Sequence, residues 1–273
     1  MLYCAAGMLA AAALLAGSAG ARAAAQDVSA NWAGYVAVGQ GSTEDTASSA
    51  MTFTDVTGRW VLPKAACRTK TSSSLAIWVG LGGYSVASKQ LEQVGTEIDC
   101  DAKGNPSYRV WYELYPAGPV SVLGLRIDPG DTIVSSIVAD SSGLLLQVTD
   151  RTRHTRFTRH IDVASPDLHS AEWIVEAPVQ CSAGGYCRQM PLTKFAPLAF
   201  THTYATGNKI GATLSSGNWL VKSLRLVPRS YRAFGGPVEQ AGRAGGAGAA
   251  VSALTPDGTG FTVNWLANPA AGA

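Results

Sequence analysis

Charge is scarce in this sequence. Asp, Glu, Lys and Arg make up 15% of 273 residues, where about 25% is usual. The signs nearly balance, with 21 basic and 19 acidic side chains for a net charge of +2. Nucleic acid or an anionic membrane is therefore excluded as the main partner, since either calls for a concentrated basic field. Histidine is rarer still: His154, His160, His169 and His202 are the full set, and none belongs to an H-E-x-x-H pair, so that class of zinc hydrolase drops out. There is no G-x-S-x-G nucleophile elbow and no Asp-Thr/Ser-Gly pair, which removes the α/β-hydrolase scheme and the aspartic peptidases. Sparse charge has a positive side. When carboxylates protonate in acid, few cations are left to repel one another, so the composition is compatible with work at low pH.

The N-terminus lacks a Lys or Arg ahead of its apolar stretch, yet Met1 to Gly17 is otherwise apolar and is followed by small residues at Ala21-Arg-Ala-Ala-Ala25. This reads as a secretory signal over 1–25, too short to span a membrane comfortably. Residues 26–273 are expected to form one domain, exported to the periplasm or the medium and monomeric. Removal of the signal takes Cys4 with it and leaves Cys67, Cys100, Cys181 and Cys187. An even count in an exported chain suggests two disulfides. The short Cys181 to Cys187 spacing favours a hairpin staple and leaves Cys67 with Cys100. A zinc site is disfavoured because neither spacing is C-x2-C, and no metal or cofactor is expected.

Apolar alternation at period two recurs with turn signals between, and no stretch after the signal carries a 3.6-residue stripe. Strands are predicted over 52–62, 75–81, 91–98, 108–115, 120–127, 132–140, 143–149, 171–177, 198–204, 223–227 and 260–265. Gly or Pro marks reversals at Asp128-Pro-Gly-Asp131, Asp140-Ser-Ser-Gly143, Lys103-Gly-Asn-Pro106 and Asp257-Gly258. Many strands with short reversals imply an all-β, antiparallel two-sheet sandwich. The Gly/Ala-rich stretch at about 240–250 reads as a loop before the last strand.

Four strands carry unusual residues on the face away from the core. Alternation places Leu75, Ile77, Val79 and Leu81 inward and Ala76, Trp78 and Gly80 outward. It likewise places Gln93, Gly95 and Glu97 on one face of their strand, and Arg109, Trp111, Glu113 and Tyr115 on one face of theirs. Glu172, Ile174 and Glu176 lie opposite Trp173 and Val175. A plain solvent face would carry Thr, Ser and Lys. Trp, Gln and Glu instead suit a groove for an extended polymer, with aromatic walls and a few polar groups for chemistry. Taken singly, each Glu is more often a solvated or ion-paired side chain than a catalyst.

In order along the chain stand Asn31-Trp-Ala-Gly-Tyr-Val36, Gly58-Arg-Trp-Val-Leu-Pro63, Trp78-Val-Gly-Leu-Gly-Gly83, Glu92-Gln-Val-Gly-Thr96, Trp111-Tyr-Glu-Leu-Tyr-Pro116 and Ala171-Glu-Trp-Ile-Val-Glu176. This series resembles the glutamic peptidases, or eqolisins, across roughly 31–204 and the strand ending at Trp265. The resemblance implies a lectin-like sandwich whose groove holds a catalytic Gln and Glu, matched here by Gln93 and Glu176. Trp78, Glu97, Trp111 and Glu113 are implied as cleft-lining or supporting groups. Two positions depart: Gly82 stands where the family often has Asp, and Glu97 where fungal members have Asp.

The implied function is a secreted acid endopeptidase acting on polypeptides. Glu176 would take a proton from water and return it to the leaving nitrogen, while Gln93 donates to the oxyanion. A carboxyl with a reference pKa of about 4.3 would do this best in acid, and Glu97 or Glu113 nearby would raise it. Two rivals use the same groove: a glycoside hydrolase with Glu113 and Glu176 as its carboxyl pair, and a non-catalytic carbohydrate-binding sandwich.

Overall fold

The computed structural model describes residues 26–43, 45, 46, 48, 50–181, 187–228 and 246–269. The signal expected over 1–25 lies outside them. Eighteen strands run through the described residues. The first nine are β1 (Asp27–Ser29), β2 (Trp32–Val38), β3 (Phe53–Val61), β4 (Ser73–Leu81), β5 (Leu91–Cys100), β6 (Pro106–Tyr115), β7 (Val120–Ser121), β8 (Thr132–Asp140) and β9 (Gly143–Asp150). The rest are β10 (Thr155–Ile161), β11 (Ser170–Glu176), β12 (Val179–Cys181), β13 (Cys187–Gln189), β14 (Leu198–Gly207), β15 (Ile210–Thr213), β16 (Leu220–Leu226), β17 (Gly248–Val251) and β18 (Gly260–Leu266).

Pairing is antiparallel throughout except for the short β1 against β16. One layer runs β10-β9-β8-β3-β14-β18 and the other β16-β2-β11-β4-β5-β6-β7, with β17 bonding to both β18 and β16 so that the sheet curls over on itself. The chain is therefore the all-β sandwich expected, with its layers joined at one side.

Between the layers lies the main core. The inward residues predicted for β4, Leu75, Ile77, Val79 and Leu81, are all buried there, facing Trp60, Ile133, Ile137, Leu146 and Phe200 of the other layer. Burying a side chain of this size stabilises by about 1.5–3 kcal/mol. Two indoles also bond across the gap: Trp60 Nε1 donates to Thr96 Oγ1 at 3.1 Å and Trp173 Nε1 to the Thr57 carbonyl at 2.7 Å. Buried aromatic N–H groups thus find partners in the facing layer and set how the layers align.

Cys67 and Cys100 are bonded, with Cα atoms 5.4 Å apart, as expected. The hairpin β12–β13 places Cys181 opposite Cys187 along the backbone, but their side chains lie outside the described residues. Two strand expectations are corrected. Of 120–127 only β7 is extended, because Gly124 turns the chain at φ 84° and the Asp128-Pro-Gly turn follows. Of the Gly/Ala-rich stretch, residues 248–251 are not loop but strand β17, whose small residues pair with Trp265 and Asn264 of β18.

Candidate active site

The second face of the β2-β11-β4-β5-β6 layer is a groove, and register aligns its residues in three rows. The first row crosses Val36, Glu172, Gly80, Gln93 and Glu113; the second Gly34, Ile174, Trp78, Gly95 and Trp111; the third Trp32, Glu176, Ala76, Glu97 and Arg109. All six candidate residues, Gln93, Glu176, Trp78, Glu97, Trp111 and Glu113, therefore project from this one face, as alternation predicted. A separate apolar cluster of Val36, Ala76, Trp78, Leu91, Trp111 and Ile174 forms the floor.

Glycines clear space for the tryptophans. A Cβ on Gly95 would sit 2.1 Å from the Ile77 carbonyl oxygen and 2.7 Å from Cβ of Trp78. A Cβ on Gly80 would sit 2.8 Å from Cζ3 of Trp78. Trp78 can therefore lie flat along the floor, and it is fully buried. Trp32 covers it edge-on, with ring centroids 5.1 Å apart. Trp78 is thus less a wall of the cleft than a support beneath it.

That support ends on Glu176. Trp78 Nε1 donates to Glu176 Oε2 at 2.8 Å, and Asn31 Nδ2 donates to Oε1 at 2.9 Å. Burial nevertheless dominates and, with the charge of Glu113 adding to it, pushes the Glu176 carboxyl up to about 7 against the opposing Trp78 and Asn31 bonds. Of the two neighbours expected to raise it, Glu113 does so. Glu97 is instead tied down, 2.7 Å from Arg109 and accepting from Ser74 Oγ at 3.1 Å. Burial raises Glu97 too, with Asp99 adding to it and Arg109 opposing.

Gln93 is 5% exposed, and its Nε2 donates to Glu113 Oε2 at 2.6 Å. Burial raises Glu113, and the Gln93 bond works against that rise. Gln93 Oε1 and Trp111 Nε1 are buried without a partner. Orphaned polar atoms on a groove floor are where a bound molecule or water would complete the bonding.

Three acids that sequence reasoning gave no role lie close together near the Leu81 end of β4. Glu172 is fully buried, and neither of its oxygens has a partner within hydrogen-bond reach, although Ser170 lies close enough to ease its charge. Burial holds it well above the ordinary carboxyl range, with Asp167 and Glu92 adding to the shift. Burial, then Asp167, raises Glu92 to about 8. Asp167 is the ionised member. Burial alone would raise it, but bonds from Ser88, from His169 and from the Gly83 N–H at 3.3 Å bring it below the usual value. A Cβ on Gly82 would meet Asp167 Cβ at 2.6 Å and Cγ at 2.9 Å. Asp167, from a different segment, thus fills the space beside Gly82. Asn31 was also passed over as a site residue, although it opens the first motif.

Among the described residues, no group of three or more His, Cys, Asp or Glu is placed to hold a metal ion.

Comparison with known proteins finds relatives in sequence and in fold. Scytalidopepsin B of Scytalidium lignicola is 28% identical over 187 residues, 66% of this chain and 65% of that protein. Aspergillopepsin-2 of Aspergillus niger is 28% identical over 175 residues, 55% of this chain and 57% of that protein. The chain thus spans somewhat under two thirds of the length of these relatives. Among solved structures, scytalido-glutamic peptidase with a peptide-based transition state analogue matches with a TM-score of 0.63 at 20% identity, covering 87% of this chain and 98% of that one. Aspergilloglutamic peptidase from Aspergillus niger matches at 0.51 and 24% identity, covering 71% and 99%. At these identities the structural likeness speaks for the fold. Residues 30–222 match the Peptidase A4 family along most of the chain, and the chain belongs to that family.

Proposed function

We propose that this chain is an exported glutamic endopeptidase that hydrolyses peptide bonds through Glu176 and Gln93. The observation that carries the reading is their placement: Gln93 and Glu113 are neighbours in the first row and bonded to each other, and Glu176 stands in the third row of the same face. The three groups share one groove, and each has a task in hydrolysis.

Ionised Glu176 takes a proton from water as the water oxygen attacks the peptide carbonyl. The carbonyl oxygen gains negative charge, and the free N–H of Gln93 donates to it, a neutral donor at any pH. Glu176 then passes its proton to the amide nitrogen, the C–N bond breaks, and the negative charge returns to the Glu176 carboxylate as the new acid group forms. Glu113 orients Gln93. By accepting one Nε2 hydrogen it leaves the second for substrate, and the unpartnered Oε1 can steer the water. Asn31 and Trp78 hold both oxygens of Glu176 in place.

A base near 7 differs from the reference carboxyl assumed from sequence. It is a stronger base, but it is ionised in only a minority of molecules in acid. The kcat/KM profile should therefore climb as pH rises toward about 7, and an ascending limb near 4 would contradict Glu176 as the base. The assignment is tested with the purified mature chain on a denatured protein. Glu176→Gln should lower kcat by about 10²-fold or more with secretion unchanged, and turnover at the parental rate would refute it. Parallel assay on xylan and glucan separates this reading from a glycosidase that would use Glu113 and Glu176.

A further inference from the structure

The first row of the groove sets two buried polar groups on either side of a glycine. Register pairs Glu172 of β11 with Gly80 of β4, and Gly80 with Gln93 of β5. The Glu172 and Gln93 side chains thus rise from one face with Cα atoms about 9–10 Å apart, two strand spacings. Gly80 contributes nothing between them. A Cβ there would lie 3.2 Å from Glu172 Oε2, so this oxygen overhangs β4 from the β11 side. The path from Glu172 to Gln93 crosses a residue without a side chain.

Both ends of that path are unsatisfied. Glu172 is fully buried and neither of its oxygens has a partner within hydrogen-bond reach. Gln93 gives Nε2 to Glu113, while its buried Oε1 accepts from no group. An amide oxygen can only accept, and so can a carboxylate; the two have nothing to exchange unless the acid carries a proton. The surroundings of Glu172 supply that condition. Its β2 neighbour is Val36, the charges acting on it are those of Asp167 and Glu92, and His169 is engaged with Asp167 at 2.7 Å. A fully buried carboxyl with acidic neighbours takes up a proton rather than stay charged. It then has one O–H to give. One water suffices to carry it across, accepting from Glu172 and donating to Gln93 Oε1.

We propose that Glu172 is a positioning residue for Gln93: its carboxylic acid O–H, relayed across Gly80 by one water, engages Gln93 Oε1 and fixes which way the amide faces. The orientation matters because an amide turned over would present oxygen, not N–H, to the developing oxyanion. Glu113 at Nε2 and Glu172 at Oε1 hold the two ends. One N–H remains for the oxyanion, and one lone pair of Oε1 remains to steer the attacking water. The inference rests on the peptidase reading above and adds a residue to it.

The test compares Glu172→Met, which has similar length and no donor, with Glu172→Gln, which keeps a donor and cannot ionise. On an internally quenched peptide in acid, Glu172→Met should lower kcat about 10-fold to 100-fold with KM within about twofold. Glu172→Gln should recover kcat to within about fivefold of the parental value. A Glu172→Met chain as fast as the parental one, or a Glu172→Gln chain as slow as Glu172→Met, would overturn the proposal. A second measurement needs neither turnover nor a folded Glu172→Met. In the isotope-labelled chain, the side-chain amide signals of Gln93, identified by their loss in Gln93→Met, should follow a titration that disappears in Glu172→Gln. Amide signals that titrate identically with and without Glu172→Gln would overturn the link even where the peptide is cleaved. Loss of that titration upholds the link even where no peptide is cleaved, an outcome that refutes the peptidase reading alone.

Discussion

Glu176 is half-buried, accepts two hydrogen bonds and feels one nearby carboxyl, and these influences oppose one another. Substitutions should therefore move its titration in opposite directions. Glu113→Gln removes a negative charge and should shift the ascending limb of kcat/KM to lower pH. Trp78→Phe keeps the ring but deletes the N–H donor, which should shift the limb upward and leave less ionised base at any acid pH. Both variants should also be slower: the first because Gln93 loses its fixed acceptor, the second because Glu176 loses an anchor. The readout is the pH profile rather than the rate alone. If both limbs move the same way, the opposition between Glu113 and Trp78 is wrong.

At the scale of elements, the three rows of the groove depend on glycine where strands pass under tryptophan. Gly95→Ala would bring a methyl to within 2.1 Å of the Ile77 carbonyl oxygen, and that backbone is held in the β4–β5 ladder. The expected cost is about 1–3 kcal/mol, read as a lower midpoint in urea with an unchanged slope. An unchanged midpoint would mean that the β4–β5 ladder yields to the methyl without cost. The same elements show what a sequence reveals. In β4, β5, β6 and β11 the alternation was legible because one face packs on the main core and the other bears Trp, Gln or Glu, so all six candidate residues were placed on the correct face.

Strand β2, at the centre of the layer, was not among the predicted strands. Trp-Ala-Gly-Tyr-Val-Ala-Val is apolar at every position, since Ala33, Tyr35 and Ala37 face the main core while Val36 and Val38 lie in the groove floor. With both faces buried, the period-two signal vanishes. Strand β10 was absent from the predicted strands for the converse reason. It is an edge strand, and Arg156, Thr158, Arg159 and His160 are all exposed, which leaves almost no apolar pattern to read. Asp167 was invisible as a neighbour of Gly82 because it arrives there through tertiary folding, with no trace in local spacing.

For the whole molecule, two carboxyl populations set opposite limits on the working pH. Glu92 is held at about 8, and Glu172 is likewise pushed up by burial. Folded, these groups keep protons that an unfolded chain releases above about pH 4.5, so their contribution is complete below that point and is lost as pH climbs through the folded values. For Glu92 alone the loss is on the order of 5 kcal/mol across the interval, comparable to the net stability of a domain. At the other extreme, Asp167, Asp101, Asp140 and Asp257 are all held low by hydrogen bonds that outweigh burial or act with little of it. Their contributions fade as pH falls through those depressed values. Folding should thus be firmest near about pH 4 to 5, while ionisation of Glu176 keeps rising toward about 7. The product of the two peaks in weak acid, between the limits, although neither group alone would place it there. Thermal unfolding at about pH 5 and about pH 8 should show a lower midpoint at the higher value, and Glu92→Gln should reduce that difference by removing one of these titrations. Equal midpoints in the parental chain would mean that Glu92 and Glu172 are hydrated in the folded protein, and the upper limit on activity would then have to come from the groove itself.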